Sequence, residues 1–312
     1  MRADTTPPMT ITVLVPSHRR PQDLRRCLNA VGPQLADGDQ LMVVYRVGDY
    51  ETMLEAQKAW HDTHLVPVIE PGVWPAYAAG IGAAQSEAVA FLDDDAIPMD
   101  GWLDALRHRL TQDPSIGAIG GPILNFRDIR TSNAFFEGGF VTEVTTLAQL
   151  RTRLHEIPAR SRVEEVDFLP GSNMAVRSGL IDLDRYPMIG MAPAIEWRMA
   201  LAVRRQGHRV VYDSDIRVEH HPSPRELSRC DRERVARDLG YAMTAIVGAE
   251  YPAGRRLRPL AWWVLAGTRQ SPGLLLGAAA ALRGPSSFRK WCAAMHGRIL
   301  GTACARRARD EA

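Results

Sequence analysis

The sequence predicts an α/β fold, a mostly parallel sheet flanked by helices, followed by an all-helical C-terminal extension. Three observations carry this reading. Short apolar, β-branched runs alternate with helical stretches over residues 11–221. One buried-looking run, 88–92, ends abruptly in three carboxylates, Asp93, Asp94 and Asp95. From Pro224 onward the strand pattern stops and the character is helical. A length of 312 residues fits about two domains at roughly 150 residues each. The expected division is a flexible lead-in over 1–10, a ligand-binding α/β domain over 11–223 and the helical extension over 224–312.

The elements follow in order. Residues 11–16 form the first strand, and 21–31 a helix with Leu24, Leu28 and Val31 on one face. Strands are expected at 40–46 and 65–70, the latter leading through Pro71-Gly72 into an alanine-rich helix near 77–86. The strand 88–92 precedes the three carboxylates, a helix follows over 100–110, then a strand over 116–121. Residues 125–165 read as a loop-rich insertion. Strands at 166–169 and 173–177 flank the turn Pro170-Gly171-Ser172. A helix over 196–206 is stopped by Gly207, and 209–212 returns to the sheet. Beyond it lie one long amphipathic helix, 225–250, and two apolar runs, 260–267 and 273–282. Each run is far shorter than the ~20 residues that span a bilayer, and Arg269 sits between them. They fit a helical pair packed on the α/β domain or in a homodimer. They equally fit an interfacial hairpin, with Trp262 and Trp263 at the headgroups and Arg255, Arg256 and Arg258 on anionic lipid.

Composition excludes several classes. With 38 basic and 36 acidic side chains the net charge is +2, so the chain is no general nucleic-acid binder. Apolar residues at 46% and charged residues at 24% exclude a disordered chain. The cysteines at 27, 230, 292 and 304 contain no C-x-x-C pair, which argues against a zinc site or disulfide framework and for a reducing compartment. Residues 1–10 carry Asp4 and two prolines where a secretory signal needs an apolar centre. The expected location is cytoplasmic, with the inner face of the cell membrane as a peripheral site.

The chemistry centres on Asp93, Asp94 and Asp95. A preceding apolar strand fixes them at its C-terminal edge, where open α/β sheets bind ligands. Alternation sends Asp93 and Asp95 to the same side. Carboxylates packed so closely repel one another unless a cation neutralises them, and hard oxygen ligands suit Mg2+ or Mn2+. The same triplet, taken alone, also fits a solvated acidic loop or a helix cap.

Val13-Leu14-Val15-Pro16-Ser17-His18-Arg19-Arg20, with Leu24, Cys27 and Leu28 behind it, resembles the opening strand and helix of family 2 glycosyltransferases of the GT-A fold. Residues 89–95 resemble their D-x-D segment, 166–177 their acceptor-side strand and turn, and 210–221 the ending in which a histidine joins the metal site. The four motifs stand in the family's order. The resemblance implies an inverting, metal-dependent transfer of a sugar from a nucleotide-diphosphate-sugar to an acceptor hydroxyl of a saccharide, lipid-linked or small molecule. By it, Pro16, Ser17 and Arg19 line the nucleotide pocket, Asp93 and Asp94 meet the donor, and Asp95 and His220 bind Mn2+ or Mg2+. Counting back from Gly207, the family's catalytic base falls on Glu196. A lid is expected from 222–228 or 125–165. Trp197 would stack on the acceptor or sit in the core, and Trp74 shares that ambiguity.

The sequence departs from the family pattern in three places. An aspartate-rich turn is replaced by Tyr45-Arg46-Val47-Gly48-Asp49, an R-N-x-G by Tyr77-Ala78-Ala79-Gly80, and an acidic neighbour of the base by Ile195. Two rival readings are a sugar-nucleotide-binding scaffold without activity and a nucleotidyltransferase. The latter lacks its glycine- and lysine-rich loop, since Ser17-His18-Arg19-Arg20 contains neither residue. A phosphoaspartate phosphatase would need threonine where Ile97 stands.

Overall fold

Eight strands form one sheet in the order β3-β2-β1-β4-β9-β6-β10-β8. In this computed structural model the described residues are 9–125, 162–167, 169–182, 187–190, 194–221, 231–282 and 284–310. The strands are β1 (Ile11–Ser17), β2 (Gln40–Arg46), β3 (His64–Val68), β4 (Ala88–Phe91), β6 (Ile116–Gly120), β8 (Val163–Glu165), β9 (Met174–Arg177) and β10 (Arg209–Asp213). β1, β2, β3 and β4 pair in parallel, as do β6 and β10, while β9 runs antiparallel between β4 and β6. A second, three-stranded sheet holds β5 (Ala96–Pro98), β11 (Val218–His220) and β7 (Ile123–Asn125), in that order.

The two-residue period of the strands sorts side chains onto two faces. Val13, Val15, Leu41, Val43, Ala88 and Ala90 face α1 (Pro21–Val31), α2 (Tyr50–Ala59) and α4 (Trp102–Gln112). Leu14, Met42, Val44, Val89 and Phe91 face α3 (Val73–Ala83) and α5 (Ile195–Arg205). The second core continues into α6 (Arg232–Glu250), α7 (Ala253–Leu265) and α9 (Pro285–Asp310) through Leu239, Tyr241, Ile246, Trp263 and Ala305. Helix α8 (Leu274–Ala281) lies beyond it.

Several expectations are corrected. Of the expected strand 166–169, the described residues 166, 167 and 169 lie outside any strand; the paired segment is β8, three residues earlier, an antiparallel edge on β10. Val166 extends the β8–β10 pairing by one hydrogen bond, its N–H donating to the Val210 carbonyl at 2.9 Å, and both Val166 and Leu169 pack in the core. Helix α3 begins at Val73 rather than 77 and ends at Ala83. Helix α2 was not expected at all; Asp49 caps it by accepting from the Thr52 N–H. Arg204, Arg205 and Arg209 are partly exposed and ion-paired: Arg205 reaches Glu250 at 2.6 Å and Asp182 at 2.8 Å, Arg204 meets Asp167 and Arg209 meets Asp113. The lead-in over 1–8, the insertion over 126–161 and the lid segment 222–228 lie outside the described residues.

The C-terminal helices pack through small residues. In α6, a Cβ on Gly240 would meet the Ala294 carbonyl at 2.6 Å. In α9, a Cβ on Gly297 would meet the Arg237 carbonyl at 2.0 Å, and one on Gly301 the Tyr241 carbonyl at 2.4 Å. The two backbones touch because nothing larger than hydrogen stands between them. The buried Arg298 then fixes the α7–α8 turn, donating to the Trp263 carbonyl at 2.9 Å and the Ser271 carbonyl at 2.6 Å.

Candidate active site

Strands β1 and β4 lie side by side and in parallel, and the residues following their C-terminal ends share one crevice. After β1 the chain turns sharply: Arg19 takes a left-handed backbone with φ of 56°. Asp49 holds this turn, accepting from the Arg19 N–H at 2.7 Å and lying 3.1 Å from His18 Nδ1. Burial works against the Asp49 charge, but the Arg19 and Thr52 hydrogen bonds outweigh it and keep its carboxyl below the ordinary range. The turn points Arg20, not Arg19, at the carboxylates that follow β4. Its Nη2 lies 2.9 Å from Asp94 Oδ1, and its Nη1 donates to Asp95 Oδ2 at 2.9 Å.

The three aspartates divide as alternation requires. Asp94 turns inward and is fully buried, with the Ser17 hydroxyl donating to it at 2.7 Å. Burial pushes its carboxyl up to about 7, more than Arg20 and Ser17 pull it down. The Asp94 carboxylate, expected on the donor, is therefore turned to the Ser17 hydroxyl inside the protein. Pro16 lies within β1 opposite Val44.

Asp93 and Asp95 turn the other way and meet His220. His220 Nε2 lies 2.9 Å from Asp95 Oδ1 and 3.7 Å from Asp93 Oδ2. Sheet register makes this meeting: β5 begins directly after Asp95, and His220 pairs with Ala96 across the antiparallel ladder. The His221 N–H then donates to the Asp95 carbonyl at 2.8 Å. One ligand atom from each of Asp93, Asp95 and His220 lies within 4.8 Å of the others. Two carboxylate oxygens and an imidazole nitrogen suit Mn2+ or Mg2+, so the donor set fits the expected metal.

Glu196 sits in the first turn of α5, whose preceding residue, Ala194, has a left-handed backbone with φ of 64°. Gly171 lies directly beneath it: a Cβ there would come 2.5 Å from Glu196 Oε1 and 3.1 Å from the Tyr77 hydroxyl. Burial raises the Glu196 carboxyl to about 7, and the Asp93 charge pushes in the same direction. Burial likewise holds the Tyr77 hydroxyl well above its usual range, with Asp93 and Glu196 adding to it. Glu196, Tyr77 and Asp93 thus share one electrostatic neighbourhood.

The turn beneath Glu196 is anchored by Asn173. Its amide donates to the Pro122 carbonyl at 3.1 Å and the Ile216 carbonyl at 2.8 Å, and its oxygen accepts from Trp102 Nε1 at 2.9 Å. Trp197 packs in the core, edge-on to Tyr251 with ring centroids 6.0 Å apart. Trp74 lies 5.8 Å from the Arg198 guanidinium. Sequence reasoning missed Arg20, Gly171 and Asn173 as site residues. Only Arg20 had a signal, as the second of two arginines following β1.

Comparison with known proteins agrees with this geometry. Residues 7–238 match the family described as "Glycosyltransferase like family 2". Among the curated proteins, none matches. A mannosyltransferase from Pyrobaculum calidifontis, solved with GDP-Man and Mn2+, is 18% identical with a TM-score of 0.57, covering 99% of this chain and 88% of that one. A mycobacterial protein is 16% identical with a TM-score of 0.51, covering 79% and 81% of the two chains. The fold is GT-A, and the match over most of the chain places this protein among the glycosyltransferases of family 2.

Proposed function

We propose that the protein transfers a sugar from a nucleoside-diphosphate sugar to an acceptor hydroxyl with inversion, and that Glu196 is the base. The observation that carries this is the half-buried Glu196 carboxylate, raised to about 7, beside the Asp93–Asp95–His220 cluster. A base whose affinity for protons lies near neutral pH both starts ionised and accepts a proton effectively. The acceptor oxygen, losing its proton to Glu196, attacks the anomeric carbon. The bond from that carbon to the diphosphate oxygen breaks, and the nucleoside diphosphate leaves on the opposite face. Mg2+ or Mn2+, held by Asp93, Asp95 and His220, would supply positive charge to offset that of the leaving diphosphate. Arg20 positions Asp95, the Asp49-held turn positions Arg20, and Gly171 leaves room for the Glu196 carboxylate.

The P. calidifontis mannosyltransferase was solved with GDP-Man and Mn2+, so GDP-mannose is the first donor to test, beside UDP-sugars. The experiment is thermal shift and donor turnover with each metal, for wild type, Asp95→Ala and Glu196→Gln. One donor should stabilise the wild type only with metal, and Asp95→Ala should abolish that shift. Glu196→Gln should keep the shift and lose turnover. If no donor shifts or reacts, or if Glu196→Gln turns over normally, the reading fails.

A further inference from the structure

We propose that the C-terminal helices dock in the headgroup plane of an anionic lipid bilayer. The first observation is charge segregation. Between residues 251 and 309 lie 11 of the chain's 38 basic side chains and none of its 36 acidic ones. The near-neutral whole is thus a negatively charged α/β domain joined to a strongly positive helical end. Arg258, Arg269, Arg306 and Arg307 are exposed there.

The second observation is apolar exposure within the same segment. Helix α8 reads Leu-Leu-Leu-Gly-Ala-Ala-Ala-Ala, and over 274–279 only Gly277 is buried, pressed against the Trp291 indole. Leu275 is 67% exposed and Leu282 90%, and on α7 Leu257 is 68% exposed. Leu265 and Leu274, also exposed, stand on either side of the α7–α8 turn. Leu265 and Leu274 are held at a braced turn. Arg298 is hydrogen-bonded to both limbs of the turn, and Gly267 bridges to Pro272 across it. Exposed leucines and exposed arginines in one helical segment are the chemistry of an interfacial helix.

The charge selects among occupants. A second copy meeting this face through the same surface would bring two positive segments together. A nucleic acid would satisfy the arginines and leave the leucines wet. Among the described residues no helix is long and apolar enough to cross a membrane, so the contact lies along the surface. Each exposed arginine brought near an anionic leaflet should strengthen partitioning about fivefold.

The test is co-sedimentation of the full chain with phosphatidylcholine vesicles and with vesicles containing roughly 30% phosphatidylglycerol, each at low and high salt. Binding at least tenfold stronger to the anionic vesicles, weakened by salt, is expected. Leu275→Asp and, separately, Arg258→Glu with Arg269→Glu should each reduce it about tenfold or more. All three positions are exposed, and circular dichroism checks that the helices are retained. Equal or absent partition onto both vesicle types overturns the proposal, as does full binding by both variants. Two further outcomes overturn it: a dimer dissolved by Leu275→Asp without vesicle binding, or salt-sensitive binding to duplex DNA in place of vesicles.

Discussion

A carboxylate half-buried at the first turn of a helix, as Glu196 is, keeps its proton to about pH 7. Two outcomes follow from the sign of that shift. A base works only when ionised, so kcat should fall about tenfold per unit as pH drops below 7. Glu196→Gln should lose roughly 10²–10⁴-fold in kcat, and its residual rate should lack this acidic limb. For stability the logic runs the other way. A folded-state value raised above that of the unfolded chain favours the fold at low pH, and this advantage is lost as pH rises through about 7. Glu196→Gln should therefore melt above the wild type at pH 8, with the gap shrinking by pH 5. Gly171→Ala probes the same carboxylate without touching it chemically. Its Cβ would stand 2.5 Å from Glu196 Oε1, at the free end of a side chain that can move aside. Thermal stability should change little while kcat drops about a hundredfold, the scale of an ångström of misplacement.

At the scale of elements, each pairing that matters is backbone against backbone. The β5–β11 ladder carries His220 to Asp95 across 125 residues of sequence. The α6–α9 pair is set by glycines, so bulk is what it cannot tolerate. In Gly301→Val the added Cβ would lie 2.2 Å from Thr244 Oγ1 and 2.4 Å from the Tyr241 carbonyl, and that carbonyl belongs to a helix. The helices must part, and urea unfolding should show a loss of about 1–3 kcal/mol. Because these helices share their core with α5, near-ultraviolet circular dichroism should report disturbed packing around Trp197 and Tyr251 as well.

For the whole molecule, the three atoms of the candidate metal cluster come from the loop after β4 and from β11, which meet only in the fold. A ligand that binds the assembled cluster and not the unfolded chain stabilises the fold by mass action, about 2.7 kcal/mol at a hundred times its Kd. Mn2+ should accordingly raise the melting temperature in a concentration-dependent way. A chelator should reverse the rise, and His220→Ala should weaken it.

Much of this was legible in the amino-acid order, because sheet and helix periods are local properties. The consecutive apolar residues Val13, Leu14 and Val15 mark β1 as a strand, and the fold covers both of its faces. The apolar run ending at Leu92 announces a carboxylate-bearing strand end, and the odd-even positions of Asp93, Asp94 and Asp95 foretell which two face the crevice. Helix α2 was not legible: Tyr-Glu-Thr-Met-Leu-Glu-Ala-Gln-Lys-Ala has too thin an apolar stripe. Nor was β8, a polar Val-Glu-Glu edge held by its ladder alone. The α6–α9 contact was hidden because small size, unlike hydrophobicity, leaves no periodic apolar signal. The choice of Arg20 over Arg19 rests on a backbone turn gripped by an aspartate 30 residues away. The sequence by itself determined which residues could line a strand edge and which face they would take. Which of them meet was decided by the tertiary structure alone, since register and helix packing join groups that no local period relates.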